Sequence, residues 1–182
     1  MKPVVMGLDL SLTAPAAVVL PARWRPGTWR MPSACWAAKI ALFVHEERER
    51  ADFEPARWAL LSNWVLDFAR VRGATHVFVE DYAFAARRTA GRALAEFGGV
   101  VKYNFWNRQQ IVVQPVVAAS ARKTLLGHVP SKKTSGVEVK DYVNEKLARM
   151  GAKFATMDEG DAFIVANHGR YLLGLPYIGV DP

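Results

Sequence analysis

A single cysteine, Cys35, is all the thiol chemistry in this 182-residue chain. One thiol excludes an internal disulfide and any multi-cysteine zinc site. It gives no sign of an oxidising compartment, so the chain reads as intracellular and a cytoplasmic location is expected. Cys35 itself reads as a small apolar residue. Long hydrophobic runs are also missing. The apolar stretch of MKPVVMGLDLSL is interrupted at Asp9, too early for a signal peptide, and no later run reaches the ~18 apolar residues that a bilayer demands. Membrane insertion is not expected. There is no internal repeat, low-complexity tract or linker. Together with a hydrophobic content of 51%, this predicts one compact domain over residues 1–182. Acidic residues are the minority: 17 Asp and Glu stand against 24 Lys and Arg, a net charge of +7. That surplus favours an anionic partner, nucleic acid first, because phosphate polymers bind such surfaces by releasing counterions. The plainer alternative is a basic surface that aids solubility.

Apolar periodicity predicts strands at residues 3–10 and 16–20, joined by a turn at Thr13 to Pro15, and a third strand at 39–44. Between the second and third strands, Pro26 and Gly27 mark a turn flanked by arginines and by Trp24 and Trp29. This segment serves either as a stacking or phosphate-gripping hairpin or as a tip whose tryptophans cover the core edge. Trp58, Leu61, Val65 and Phe68 predict a helix over 55–72, followed by a strand at 75–80. A longer helix is predicted over 86–106, with Leu94, Phe97, Val101 and Phe105 on one stripe. Its glycines, 91, 98 and 99, point to close packing. A fifth strand is expected at Ile111 to Val113, and helices over 116–126, about 136–150 and about 157–173. Three antiparallel strands followed by alternating helices and strands predict an α/β fold: a mixed five-stranded sheet with helices on both faces.

Four carboxylates stand out from this frame. Asp9 interrupts VVMGLDLSL, Glu80 closes the apolar run THVFVE, and Asp158 and Asp161 open the segment DEGDAFIVANH. Acids at the ends of buried strands are costly unless paired or bound to a cation. Thr156 followed by Glu159 forms a capping-box pattern that fixes the start of the last helix and puts Asp158 and Asp161 on one face, ~5 to 6 Å apart at their bases. The helix dipole alone accounts for Asp158 and Glu159, but it does not account for Asp9 or Glu80. In open sheets, the carboxyl ends of strands are where ligand sites form. An all-oxygen donor set of Asp9, Glu80, Asp158 and Asp161 suits Mg²⁺ or Mn²⁺ and not zinc. Two such ions per site, ~3.5 to 4 Å apart, would suit phosphodiester hydrolysis without a nucleophilic side chain.

Asp9 on the first strand, Glu80 ending the fourth, and the D-x-x-D-A helix start at Asp158 to Ala162 resemble the RuvC-type Holliday-junction resolvases of the RNase H-like superfamily. The stretches ALAEFGGVVKYNFW (93–106) and QPVVAASARKTLLG (114–127), with Lys140 ahead of an amphipathic helix, are similar to the phage-encoded branch. The likeness runs in order along nearly the whole chain, apart from 21–36 and 128–136. It implies an RNase H-like fold and a homodimeric, metal-dependent endonuclease of DNA recombination and repair that nicks four-way junctions symmetrically. The location would be bacterial, or the host cytoplasm if phage-encoded. It further implies that Arg122, Lys123 and Lys140 hold the scissile phosphate, and that an aromatic after the strand-four glutamate, Tyr82 or Phe84 here, stacks at the opened junction. Lys132 and Lys133 fit backbone contacts, while Arg87, Arg88 and Arg92 at the head of the long helix fit phosphate contacts. His128 and His168 are candidates for proton transfer and equally for structural roles. A two-fold interface is expected on the long helix through Leu94, Phe97 and Val101.

Three other functions compete. An ATP-binding domain of the actin and chaperone-ATPase type also places an aspartate on its first strand, but the turn from Asp9 to Thr13 lacks the glycine that admits phosphate to the backbone. A related nuclease acting on flaps, forks or RNA-containing substrates shares the same carboxylates. A non-catalytic DNA-binding module would need only the basic surface.

Overall fold

The computed structural model describes residues 2–23, 36–39, 54–81, 89–127 and 139–177. Five strands run in the order β3-β2-β1-β4-β5, where β1 is Val5–Asp9, β2 Ala16–Leu20, β3 Trp36–Lys39, β4 His76–Glu80 and β5 Val113–Val116. β1, β2 and β3 pair antiparallel, while β4 runs parallel to β1 and to β5, so the sheet is mixed, as the element order predicts. The helices are α1 (Glu54–Arg72), α2 (Thr89–Gln109), α3 (Ala118–Leu126), α4 (Val139–Arg149) and α5 (Met157–Leu172).

The alternation of side chains along each strand divides the core in two. Met6, Leu8, Val77 and Val79 face α1 and α2, where they pack with Leu61, Val65, Phe97, Val101 and Phe105. Val5, Val18, Leu20 and Phe78 face the other way, onto α3, α4 and α5. β1 is therefore buried on both faces, which explains its unbroken apolar run. α1 ends where Gly73 takes a left-handed φ of 67° and turns the chain into β4.

Three expectations shift. The strand expected at Ile111 to Val113 is instead Val113–Val116. Gln110 adopts φ 55°, and the Ile111 amide returns to the Phe105 carbonyl, so Ile111 closes the end of α2 before the strand begins. β5 tolerates Pro115 because it lies at the sheet edge. The third strand, expected at 39–44, pairs through Trp36–Lys39, and residues 40–44 lie outside the described residues. The stripe Leu94, Phe97, Val101 and Phe105 is core rather than interface. Phe97, Val101 and Phe105 are fully buried against α1 and the sheet, which removes them from the expected two-fold contact. No helix among the described residues is long and apolar enough to cross a membrane.

Candidate functional site

β1 and β4 lie side by side in parallel, with Leu8 opposite Val79, so the next positions along both strands are Asp9 and Glu80. Neighbouring strands are ~4.8 Å apart, and the two carboxylates leave the sheet at the same edge. By alternation they share a face with Gly7 and Phe78, the face that α5 covers. α5 lies so close that a Cβ on Gly7 would sit 2.2 Å from the Ala162 carbonyl oxygen and 2.3 Å from the Ala166 nitrogen. A Cβ on Gly169 would meet the Phe78 ring at 2.3 Å. Glycine at both positions allows the helix to seat against the strands.

The start of α5 is fixed as its sequence predicts. The Glu159 amide donates to Thr156 Oγ1 at 3.2 Å, and Glu159 Oε2 accepts from the Ala155 and Thr156 amides at 2.9 and 3.2 Å. This capping box places Asp158 in the first turn and Asp161 beside Ala162, the residue that touches β1. Asp161 is buried, and Asp9, Glu80 and Asp158 are half-buried.

α3 closes the site from the side. Arg122 Nη2 donates to Asp161 Oδ1 at 3.2 Å, an ion pair whose side chains are only 19% and 8% exposed. Two residues along α3, and two turns along α5, Thr124 Oγ1 lies 2.7 Å from His168 Nδ1 and donates its own proton to the Ser120 carbonyl at 3.1 Å. A hydroxyl has one proton to give, so this geometry fits a His168 tautomer that donates from Nδ1. Burial lowers the His168 pKa, which keeps the ring neutral. His168 is thus a buried strut between α3 and α5, which favours the structural alternative for this residue.

The donor chemistry of Asp9, Glu80, Asp158 and Asp161 fits a hard divalent cation. The fold brings Asp9 and Glu80 to one sheet edge and sets Asp158 and Asp161 within a turn of the helix residue packed on β1. It does not gather them into a finished cage: no group of three or more His, Cys, Asp or Glu side chains stands close enough to hold an ion among the described residues. Asp9, Glu80, Asp158 and Asp161 each make further polar interactions, so none stands alone.

The remaining candidates separate clearly. Lys123 is exposed on α3. Lys140 lies in the first turn of α4, with its side chain outside what is described. Tyr82, Phe84, Arg87, Arg88, His128, Lys132 and Lys133 fall outside the described residues, as does Cys35. Arg92 is exposed and paired with Glu96 at 3.0 Å on the same helix. Sequence reasoning missed Gly7 and the direct partnership of Arg122 with Asp161. A glycine amid an apolar strand signals close backbone approach, so Gly7 was detectable. An ion pair between residues 39 apart leaves no periodic trace.

No family model and no curated protein matches this chain. Solved structures do. Thermus thermophilus RuvC in complex with a Holliday junction substrate is 17% identical, with 94% of this chain and 96% of that chain covered at a TM-score of 0.65. A second Thermus thermophilus RuvC structure is 16% identical, with 97% and 99% covered at a TM-score of 0.63. The chain has the RuvC fold. The match spans nearly the full length of both proteins. Neither neighbour gives support to the phage-encoded branch in particular.

Proposed function

We propose that this chain is a divalent-metal-dependent endonuclease that acts on branched DNA and resolves four-way junctions by paired nicks. The observation that carries this reading is the placement of Asp9 and Glu80 at the ends of adjacent parallel strands, beneath the helix whose first turns bear Asp158 and Asp161. The RuvC fold, one of whose examples is bound to a Holliday junction, and the charge of +7 support it.

In this reading Asp9 and Glu80 hold the cation from the sheet, and Asp158 and Asp161 approach it from α5. Two bound Mg²⁺ or Mn²⁺ ions would supply hydroxide from water and stabilise the leaving oxygen. Lys123, exposed on the helix that borders the site, attracts the phosphate backbone, and Lys140, Lys132, Lys133, Arg87 and Arg88 stay candidates for backbone contacts on the strength of the sequence. Tyr82 or Phe84, just beyond Glu80, would stack on an unpaired base.

Symmetric nicking calls for two copies related by a two-fold axis. The outer side of α2 is suited to this: Ala95 and Gly99 are exposed, a Cβ on Gly99 would meet nothing within 4 Å, and Tyr103 and Trp106 are 64% and 53% exposed. Small residues beside large aromatics allow one helix to receive another closely. The interface therefore moves from Phe97 and Val101 to the opposite face, and Trp106→Glu should convert a dimer to a monomer by analytical ultracentrifugation. A wild-type mass equal to one chain at micromolar concentration would remove the dimer.

The activity is tested by comparing cleavage of four-way junctions, flaps, forks, duplex DNA and RNA–DNA hybrids at one salt concentration. Junction nicking should dominate, and Asp9→Asn should abolish it while junction binding in Ca²⁺ persists. A preference for flaps, forks or hybrids would redirect the substrate, and cleavage by the Asp9→Asn variant would remove the carboxylate mechanism.

A further inference from the structure

The Arg122–Asp161 pair is unusual for its position. Arg122 is the natural candidate for gripping a phosphate, yet its guanidinium lies on a carboxylate that the metal mechanism also needs. Both side chains are largely withdrawn from water, where charge interactions are stronger than at an open surface. The pair also joins two helices rather than neighbours on one helix, since α3 and α5 are held together by this contact and by Thr124–His168. Arg70–Asp67 and Arg92–Glu96, by contrast, are exposed pairs within single helices.

We infer that Arg122 is the resident counter-charge of Asp161: it offsets the concentration of acid at the sheet edge and competes with the divalent cation for that carboxylate. This deepens the nuclease reading and rests on it. A fixed positive charge at Asp161 Oδ1 lowers the negative potential that draws a cation, so the chain binds its metal more weakly than its four acids alone would. Arg122 is thereby a positioning residue that acts through Asp161, with an effect that exists before any DNA arrives.

The two ideas divide on DNA-free measurements. Mn²⁺ binding to the full chain, followed by titration calorimetry, should tighten about 5- to 10-fold in Arg122→Gln, which keeps a hydrogen-bond donor and loses the charge. Arg122→Lys, which restores the charge, should return the affinity to within about 2-fold of wild type, a span well below the coupling of a typical linked pair. In chelator, Arg122→Gln should melt below wild type, and Mn²⁺ should raise its melting temperature by more than it raises that of the wild type. Unchanged or weaker Mn²⁺ affinity in Arg122→Gln would overturn the inference and leave Arg122 as a DNA contact or a helix tie. Wild-type protein with no saturable Mn²⁺ binding at all would instead overturn the carboxylate reading beneath it.

Discussion

The two faces of the sheet are built on different rules. Against α1 and α2 the core is almost wholly apolar, with Phe97, Val101, Phe105, Leu61 and Val65 fully buried. Under α5 the same sheet accepts Asp161, Asn167, His168 and Arg170 as buried polar residues, and glycine stands at the closest contacts, Gly7 beneath Ala162 and Gly169 on the Phe78 ring. Arg170 is fully enclosed and still donates to the carbonyls of Pro176 and Pro21, at 2.6 and 3.0 Å, which ties the C-terminal segment to the exit of β2. Both faces supply hydrophobic free energy; the α5 face adds close backbone approach and hydrogen-bonded polar groups that position the carboxylates at the rim. Buried polar groups without partners would be strongly destabilising, and here Asp161, His168 and Arg170 each have one.

The contrast is sharpened by substitutions on each side. Phe97→Ala should cost the most, about 3–5 kcal/mol in denaturant unfolding, because a large ring leaves a cavity in a packed core. A loss under 1 kcal/mol would mean that the α2 face is looser than its burial indicates. Gly7→Ala should cost up to about 3 kcal/mol, since the added methyl meets backbone atoms of α5 that cannot swing aside. The same variant should lose cation affinity, because α5 must shift away from Asp9. Thr156→Ala should cost about 1 kcal/mol by removing the cap of α5, and Thr156→Ser should restore it. The smallest effect concerns acid. Burial depresses the pKa of His168, so the unfolded chain takes up its proton first. Stability should be complete above about pH 6.5, decline as pH falls below it, and level off beneath the depressed folded value. His168→Gln should flatten that limb of the profile.

The polar face was the more legible of the two in sequence. Thr156 and Glu159 fix the start of α5, and acids at the ends of apolar strands locate Asp9 and Glu80, because both signals are local. The role of the α2 stripe was not legible. An apolar stripe at helical spacing shows that a face is covered but not by what, and here the sheet and α1 cover it. The register of β5 was obscured for a similar reason: Ile111 and Val112 look like strand residues, yet the turn at Gln110 assigns Ile111 to the end of α2. The Arg122–Asp161 ion pair was not legible because a sequence displays charge without displaying its partner.

The proposed nuclease chemistry requires the rim beneath α5 to collect a divalent cation. Crystals of the wild-type chain grown with Mn²⁺ and measured at the manganese absorption edge locate such ions directly. The anomalous signal should fall against the carboxylates of Asp9 and Glu80, on the side facing Asp158 and Asp161. Manganese bound only elsewhere, with that edge empty at saturating concentration, would contradict it.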